Sequence, residues 1–516
     1  MLDVIVIGAG PAGIQAGYFL KKKGISYEII ERNECAGSFF RTFPRHKKLI
    51  SINKRYTGST NREFNLRHDW NSLLSDDGPL FTNFDEALFP SSESLLDYLK
   101  AFVDYAGIPI SYNSEVNLIE KKGAIFTIEL TNGRNLKAKS IIIATGFTKA
   151  NIPMIKGIEH AEEYSFCSID KADYINKRVL IIGKGNSAFE TADHIADSAA
   201  VIHLSSPNSI KMAWSTHYVG NLRAVNNNIL DMYQLKSQHA IIDADIESIK
   251  KLDKGYQVVF GYKHAEGERE TINYDIVLSC AGFKVGIDLF GDSCTPVLSN
   301  NGKYPALTNA FESQNIPGMY FAGTLTHSLD YRKATSGFIH GFRYNIKSLA
   351  DILDKQLHNN DISSHAVEPS AVSLAKNIIN RVNVVSSLWQ QPGFLAEFYQ
   401  IQEDSIQHFD ALPLDYGVKN YFIKERVVSL TFEYGHNIEG DIFSQARIAR
   451  DNVGHSSQSQ FLHPVLRHFN NGELVQEFHV IEDLEAHWTE NEHLEHIATF
   501  LKSVVNKNVI MVLTDE

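Results

Sequence analysis

Two glycine turns carry the most legible chemistry in this sequence. Gly8, Gly10 and Gly13 stand in GAGPAG, directly after the apolar run LDVIVI (2–7) and before a helix-spaced segment from about Ile14 to Lys23. In such a turn the first glycine permits the tight bend and the second lets backbone N–H groups approach a pyrophosphate. The third lets the helix pack close to the strand, and the helix N-terminus adds partial positive charge. The next strand, SYEIIE, ends at Glu31, with Arg32 beside it. A carboxylate there accepts hydrogen bonds from ribose hydroxyls and repels a 2′-phosphate, so this turn suits FAD or NAD. The second turn, GKGNSAFE, supplies Gly183 and Gly185, with Ala188 at the third small position, after the strand-like RVLIIG. No acid closes the strand that follows; Ser205 and Ser206 stand there, with Lys211 just beyond. Hydroxyls and a lysine accommodate a 2′-phosphate, which favours NADPH. Opposite chemistry at the two strand ends predicts one flavin and one nicotinamide donor.

The elements that position these turns follow from the pattern. Each turn lies in a βαβ unit. Residues 40–90 read as loops, ESLLDYLKAFVDYA (93–106) has helical spacing, and 110–145 reads as short strands. IIIATGF (141–147) and VLSCAGF (277–283) are apolar strands ending in small residues, as where a chain crosses between nucleotide domains; Thr145 and Gly146 sit at the first crossing. YFAGT (320–324) is a strand running into Gly323, before a helix expected over 336–353 that places Phe338 near its start. Gly323 is expected near the flavin pyrophosphate or ribityl chain. The polar stretch 355–370 reads as a boundary. The expected architecture is α/β. A Rossmann-like FAD domain (1–150 and 281–355) is interrupted by an NADPH domain (151–280), and a C-terminal α+β extension (356–516) follows.

Composition narrows the classes. The chain has 516 residues, 43% hydrophobic and 21% charged, which excludes a disordered chain. A net charge of −12 argues against nucleic-acid or anionic-membrane partners. Four cysteines without a CxxC give no disulfide framework, zinc ribbon or vicinal redox pair. The 21 histidines include no HExxH, so no metal site is expected. The opening MLDVIVIGAG, the lack of an apolar run of about 18 residues, and the closing LTDE lead us to expect a cytoplasmic protein.

The order GAGPAG, E, AGSFF, ATGF, GKGNSAFE, AGF, YFAGT resembles the class B flavin-dependent monooxygenase superfamily. Within it, residues 49–74, 216–237 and 327–345 resemble the FAD-dependent oxidoreductase domain-containing group, in a bacterial-type member. The resemblance implies that Gly37, Ser38 and Phe39 join Gly8, Gly10, Gly13 and Glu31 in holding FAD. It places Asn186, Ser187 and Glu190 with Gly183 and Gly185 at the nicotinamide nucleotide, and Asn53 beside the flavin. Asp69-Trp70 and Arg223 are expected to line the reaction cleft, Arg223 holding either a peroxyflavin anion or NADPH phosphates. The superfamily's FxGxxxHxxx signature is missing; Tyr164 stands where its histidine is expected.

The expected function is an NADPH-dependent FAD monooxygenase. Reduced FAD takes up O₂ as a C4a-(hydro)peroxyflavin and passes one oxygen to a small organic substrate, by N/S-oxygenation or the Baeyer–Villiger route. Specialised metabolism is a candidate setting, and a homodimer is plausible. The alternatives are a flavin reductase or oxidase without oxygen insertion, and a partner-binding flavoprotein.

Overall fold

The computed structural model describes residues 1–235, 239–435 and 447–505. Lys236 and Ser237, at the end of one resembling stretch, and the closing LTDE lie outside the described residues. The strand Leu2–Ile7 has Val4, Ile5 and Val6 fully buried, as a strand covered on both faces must. It pairs in parallel with Tyr27–Ile30 on one side and Asn135–Ile143 on the other. Met319–Phe321 adds in parallel to Asn135–Ile143, although some 180 residues separate them in the chain, and completes a seven-stranded sheet. Between the first two strands runs the helix Pro11–Lys22, which starts on a proline and buries nearly its whole length.

The second nucleotide unit is a five-stranded parallel sheet. Its order is Ala240–Asp243, Val201–Ser206, Arg178–Ile182, Ile276–Ser279 and Glu162–Glu163. A three-stranded antiparallel sheet, Asp245–Lys251, Tyr256–Tyr262 and Glu268–Tyr274, is inserted before its fourth strand. The chain enters and leaves this unit through Lys149–Ala150 and Phe283–Lys284, which pair antiparallel. This is the α/β, doubly dinucleotide-binding architecture that the glycine turns predict.

The C-terminal part forms a six-stranded antiparallel sheet with the helices Ala371–Val384 and Asn491–Val505. Two expectations near its start need correction. The helix expected over 336–353 runs Ile339–His358 and ends on Asn359 in the left-handed region, with Gln356 and His358 of its extra turn exposed to solvent. Ser364–Val367, inside the polar boundary, is a strand paired with Ile406–Pro413. Ile346, Leu349 and Leu353 of that helix share one apolar core with Ile14 and Leu20 of the first helix and with Ala396, Phe398 and Phe409 of the C-terminal sheet. The extension is thus cored onto the flavin-side domain. No helix among the described residues is long and apolar enough to cross a membrane.

Candidate active site

The first glycine turn is built as its sequence requires. Gly8 has φ +104°, and a Cβ there would stand 2.8 Å from the carbonyl oxygen of Ala144. A Cβ on Gly13 would lie 1.9 Å from the Gly8 carbonyl oxygen, so helix and strand touch through bare backbone. A Cβ on Gly10 would meet nothing within 4 Å: this residue faces open space at the helix N-terminus. That space is a cavity of about 1050 Å³ bordered by Gly8, Gly10, Glu31, Arg32, Ser38, Phe39 and Thr145. Glu31 is 6% exposed; Oε2 accepts from the Ala9 N–H at 2.8 Å, and Oε1 from the Asn33 N–H at 3.0 Å and Ser38 Oγ at 3.2 Å. The Gly37 N–H donates to the Ala9 carbonyl at 2.8 Å, clasping the AGSFF segment onto the turn. Gly37 itself, at φ +68°, approaches Leu99 too closely for a side chain. Gly323, at φ +71°, lies against Ala12, where a Cβ would come within 2.7 Å. Gly146 has φ +63° and sits at the crossing. Open space at a helix N-terminus, with an oriented carboxylate at the next strand end, fits an adenine dinucleotide such as FAD.

The second turn repeats the design. Gly183 has φ +130°, and a Cβ would stand 2.4 Å from the Cys280 carbonyl oxygen, while a Cβ on Gly185 would meet nothing within 4 Å. Two details were not legible in sequence. Asn186 is engaged: its Oδ1 accepts from the Arg223 N–H at 3.0 Å and its Nδ2 donates to the Asn221 carbonyl at 2.8 Å. It pins the 220–226 loop to the turn. Lys184, inside the turn, donates to the carbonyls of Ser206 at 3.2 Å and Asn208 at 3.1 Å and pairs with Asp243. It brings a cation to the strand end where Ser205 and Ser206 lie, and Asp243, one strand over, balances it. Ser205 Oγ is buried without a hydrogen-bond partner; Ser206 Oγ donates to Asn208; Lys211 is exposed beyond them. Ser187 and Tyr164 line a common cavity of about 210 Å³. Glu190, on the helix after the turn, has one buried oxygen without a partner, and burial pushes its carboxyl up to about 7.

Between the two units, aromatic and charged side chains close together. Trp70 stacks on His340 at 4.2 Å, His340 on Phe338 at 5.7 Å, and the Arg223 guanidinium lies over Trp70 at 5.2 Å. Arg223 Nη1 also donates to the Ile50 carbonyl at 3.0 Å, and desolvation lowers its pKa. His340 is 1% exposed, both ring nitrogens lack partners, and burial holds its pKa well below the ordinary value. Asn53 is buried; its Nδ2 donates to the Asp85 carbonyl at 2.7 Å and its Oδ1 has no partner. Asp69, expected at the cleft, is turned inward instead. One oxygen accepts from the N–H groups of Asn71 and Ser72, and the other from Ser72 Oγ. The physical reason is an Asx turn, in which the carboxylate caps its own loop. Phe39 is half exposed and stacks on Phe43. Cys167, Cys280 and Cys294 are buried and Cys35 is half-buried, all as free thiols.

Comparison with known proteins agrees with this architecture. The sequence profile "Pyridine nucleotide-disulphide oxidoreductase" matches residues 5–323. The mouse FAD-dependent oxidoreductase domain-containing protein 2 is 32% identical over 566 aligned residues, covering 98% of this chain and 84% of the mouse protein. Among solved structures, the bacillithiol disulfide reductase of Staphylococcus aureus superposes with a TM-score of 0.52 at 19% identity, over 69% of this chain and 99% of its own. A flavin-containing monooxygenase from Stenotrophomonas maltophilia does so with a TM-score of 0.53 at 18% identity, over 69% and 98%. The two structures share the fold of the dinucleotide units. With the profile spanning more than half its length and the mouse relative aligned almost end to end, this chain belongs to the pyridine nucleotide-disulphide oxidoreductase family of FAD-dependent oxidoreductases.

Proposed function

We propose that this protein is an NADPH-dependent FAD monooxygenase acting with O₂ on a small organic substrate by N/S-oxygenation or a Baeyer–Villiger route. The observation that carries the reading is the paired construction of the two turns. In each, the first glycine is sterically obligatory and the second opens onto empty space at a helix N-terminus. FAD, when bound, supplies the hydride acceptor and the site of O₂ activation.

The chain's own residues hold, orient and exclude water. Gly8, Gly10, Glu31, Arg32, Ser38, Phe39 and Thr145 border the flavin-side cleft, and Gly13, Gly37, Gly146 and Gly323 shape it. Gly183, Gly185, Ser187, Ser205, Ser206, Lys211 and Lys184 frame the nicotinamide nucleotide. Asn186 acts through the loop it pins, keeping Arg223 against Trp70. Asn53 and His340 offer buried polar atoms without partners, the kind that a ligand satisfies. The Trp70–His340–Phe338 stack keeps bulk water out of the space between the units. We place the protein in the cytoplasm, with specialised metabolism as the candidate setting and a homodimer as its assembly.

One observation favours the second reading, a reductase or oxidase without oxygen insertion. Where the superfamily histidine is expected, Tyr164 turns a buried hydroxyl to the Arg45 N–H at 3.4 Å. The disulfide-reducing version lacks its chemistry, since no CxxC exists to face the flavin. Reduction by NADPH under nitrogen, followed by mixing with O₂, separates the readings. The monooxygenase reoxidises in two phases with delayed hydrogen peroxide release. Single-phase reoxidation with prompt, stoichiometric peroxide supports the oxidase.

A further inference from the structure

His327 and Asp330 lie just beyond the strand Met319–Phe321, on the short helix Gly323–Ser328 and the turn that follows it. They are 1% and 3% exposed. One Asp330 oxygen faces His327 Nδ1 at 2.8 Å, and the other accepts from the Ser336 N–H at 3.0 Å. Two donors converge on His327 Nε2: the Arg332 backbone N–H at 3.3 Å and the Tyr218 hydroxyl at 2.8 Å. A backbone N–H only donates. Nε2 therefore carries the lone pair, the ring proton sits on Nδ1 facing Asp330, and the Tyr218 O–H points at Nε2.

Tyr218 comes from the other unit, from the loop between Val201–Ser206 and the helix Asn228–Gln234. Its ring lies 9° from parallel to His327 at 5.3 Å. Gly220 makes room for it, since a Cβ there would stand 2.4 Å from the Tyr218 ring. Phe338 lies 6.3 Å from Tyr218 and continues into the stack with His340 and Trp70. The groups facing His327 are Tyr218, Tyr304 and Tyr331 (the last two with rings at 5.8 Å), Asp330 and Arg332. Lys303 lies behind Tyr304. Only Asp330 among them is an acid, and it touches the ring directly.

We propose that Tyr218, His327 and Asp330 form a proton relay spanning the two dinucleotide units. Its working end is the Tyr218 oxygen, and its substrate is one whose reacting atom gives up an ionisable proton, a protonated amine or a thiol. This rests on the oxygenase reading above and names the substrate class for it. In the step, an ammonium N–H or thiol S–H of the substrate gives its proton to the Tyr218 oxygen while Tyr218's own proton moves to Nε2, leaving the substrate as the neutral amine or the thiolate. His327 becomes an imidazolium beside the Asp330 carboxylate. No electrons change hands, and the resting state returns when Nε2 gives its proton back to the Tyr218 oxygen and that oxygen passes the displaced proton to water. His327 and Asp330 are positioning residues: Asp330 fixes the tautomer that leaves Nε2 free and stabilises the imidazolium.

The test uses the full-length, flavin-loaded protein with ¹⁵N-labelled histidine, His327→Gln identifying the His327 signals. The relay predicts the Nδ1–H tautomer in the wild type and its loss in Asp330→Asn; an Nε2–H tautomer in the wild type overturns it. In a second arm, NADPH turnover is measured with cysteamine, which carries both an amine and a thiol. Each variant is normalised to its own anaerobic flavin-reduction rate, so poor folding or flavin loss does not count. Tyr218→Phe keeps the ring and removes the oxygen. It is expected to cut normalised turnover at least ~10-fold and abolish the solvent deuterium isotope effect. Turnover within about twofold of wild type overturns the relay. A wild type that cysteamine does not accelerate overturns the amine-or-thiol assignment. If NADPH fails to reduce the wild-type flavin, the oxygenase reading falls while the tautomer arm still decides the relay.

Discussion

Replacing Glu190 by Gln tests whether the buried helix after the second glycine turn holds a neutral carboxyl. One of its oxygens has no partner, and the carboxyl is raised from 4.5 to about 7, with desolvation the largest cause. In the unfolded chain Glu190 releases its proton near 4.5; in the folded chain it keeps it until about 7. Between those values the folded state holds the extra proton. The group's contribution is therefore fully present below 4.5 and drains away as pH climbs through 7. A shift of this size is worth about 3 kcal/mol at 1.4 kcal/mol per decade, and about 2–3 kcal/mol once residual solvent contact is allowed for. Glutamine keeps the shape and removes the titration. At about 1 °C per kcal/mol for a chain of 516 residues, the variant at pH 8 is expected to melt about 2–3 °C above wild type, with the gap closing toward pH 5. Thermal or denaturant unfolding of the nucleotide-free protein across that range measures it. Parallel stability–pH curves for the two proteins, or a Gln variant that is less stable at pH 8, would refute the reasoning.

Gly10→Ala meets open space, so its apo-protein is expected to melt like wild type while retaining at least ~10-fold less FAD on gel filtration. Gly13→Ala drives a Cβ into the Gly8 carbonyl and should lower both the melting temperature and the flavin content. Arg381 holds Glu63 on the flavin-side segment and the 1%-exposed Glu397 of the C-terminal sheet. Arg381→Met strands that buried carboxylate beside His408 alone, so urea unfolding should show a loss of about 3–5 kcal/mol, part of it recovered by adding Glu397→Gln. Native maleimide labelling at neutral pH is expected at half-buried Cys35 and not at buried Cys167, Cys280 or Cys294, read by peptide mass spectrometry.

What the sequence made legible was local. A strand, three small residues and a helix within about twenty positions define each turn, and the steric demands at Gly8, Gly13 and Gly183 are those the pattern encodes. The interrupted order of the units also showed, because IIIATGF and VLSCAGF mark the crossings now seen at Lys149–Ala150 and Phe283–Lys284. What polar groups do for their own loops was not legible. Asp69 is expected at the cleft and Asn186, from the resemblance, at the nicotinamide nucleotide, and both also hold backbone nearby. Lys184 escaped notice because its meaning depends on Asp243, on a strand later in the chain. The contacts that fasten the extension were invisible for the same reason: Arg381 meets Glu63 across 318 positions, and Arg67 donates to the Val385 carbonyl across the same span. Tyr218 and His327 are 109 positions apart, and no periodicity joins them.

The most direct measurement is an anaerobic titration of the purified protein with NADPH, followed by its visible spectrum. The account predicts a yellow protein whose flavin absorbance bleaches in proportion to the NADPH added, with NADH needing a markedly higher concentration. A colourless protein that takes up no FAD on reconstitution, or a flavin that neither nicotinamide reduces, would contradict it.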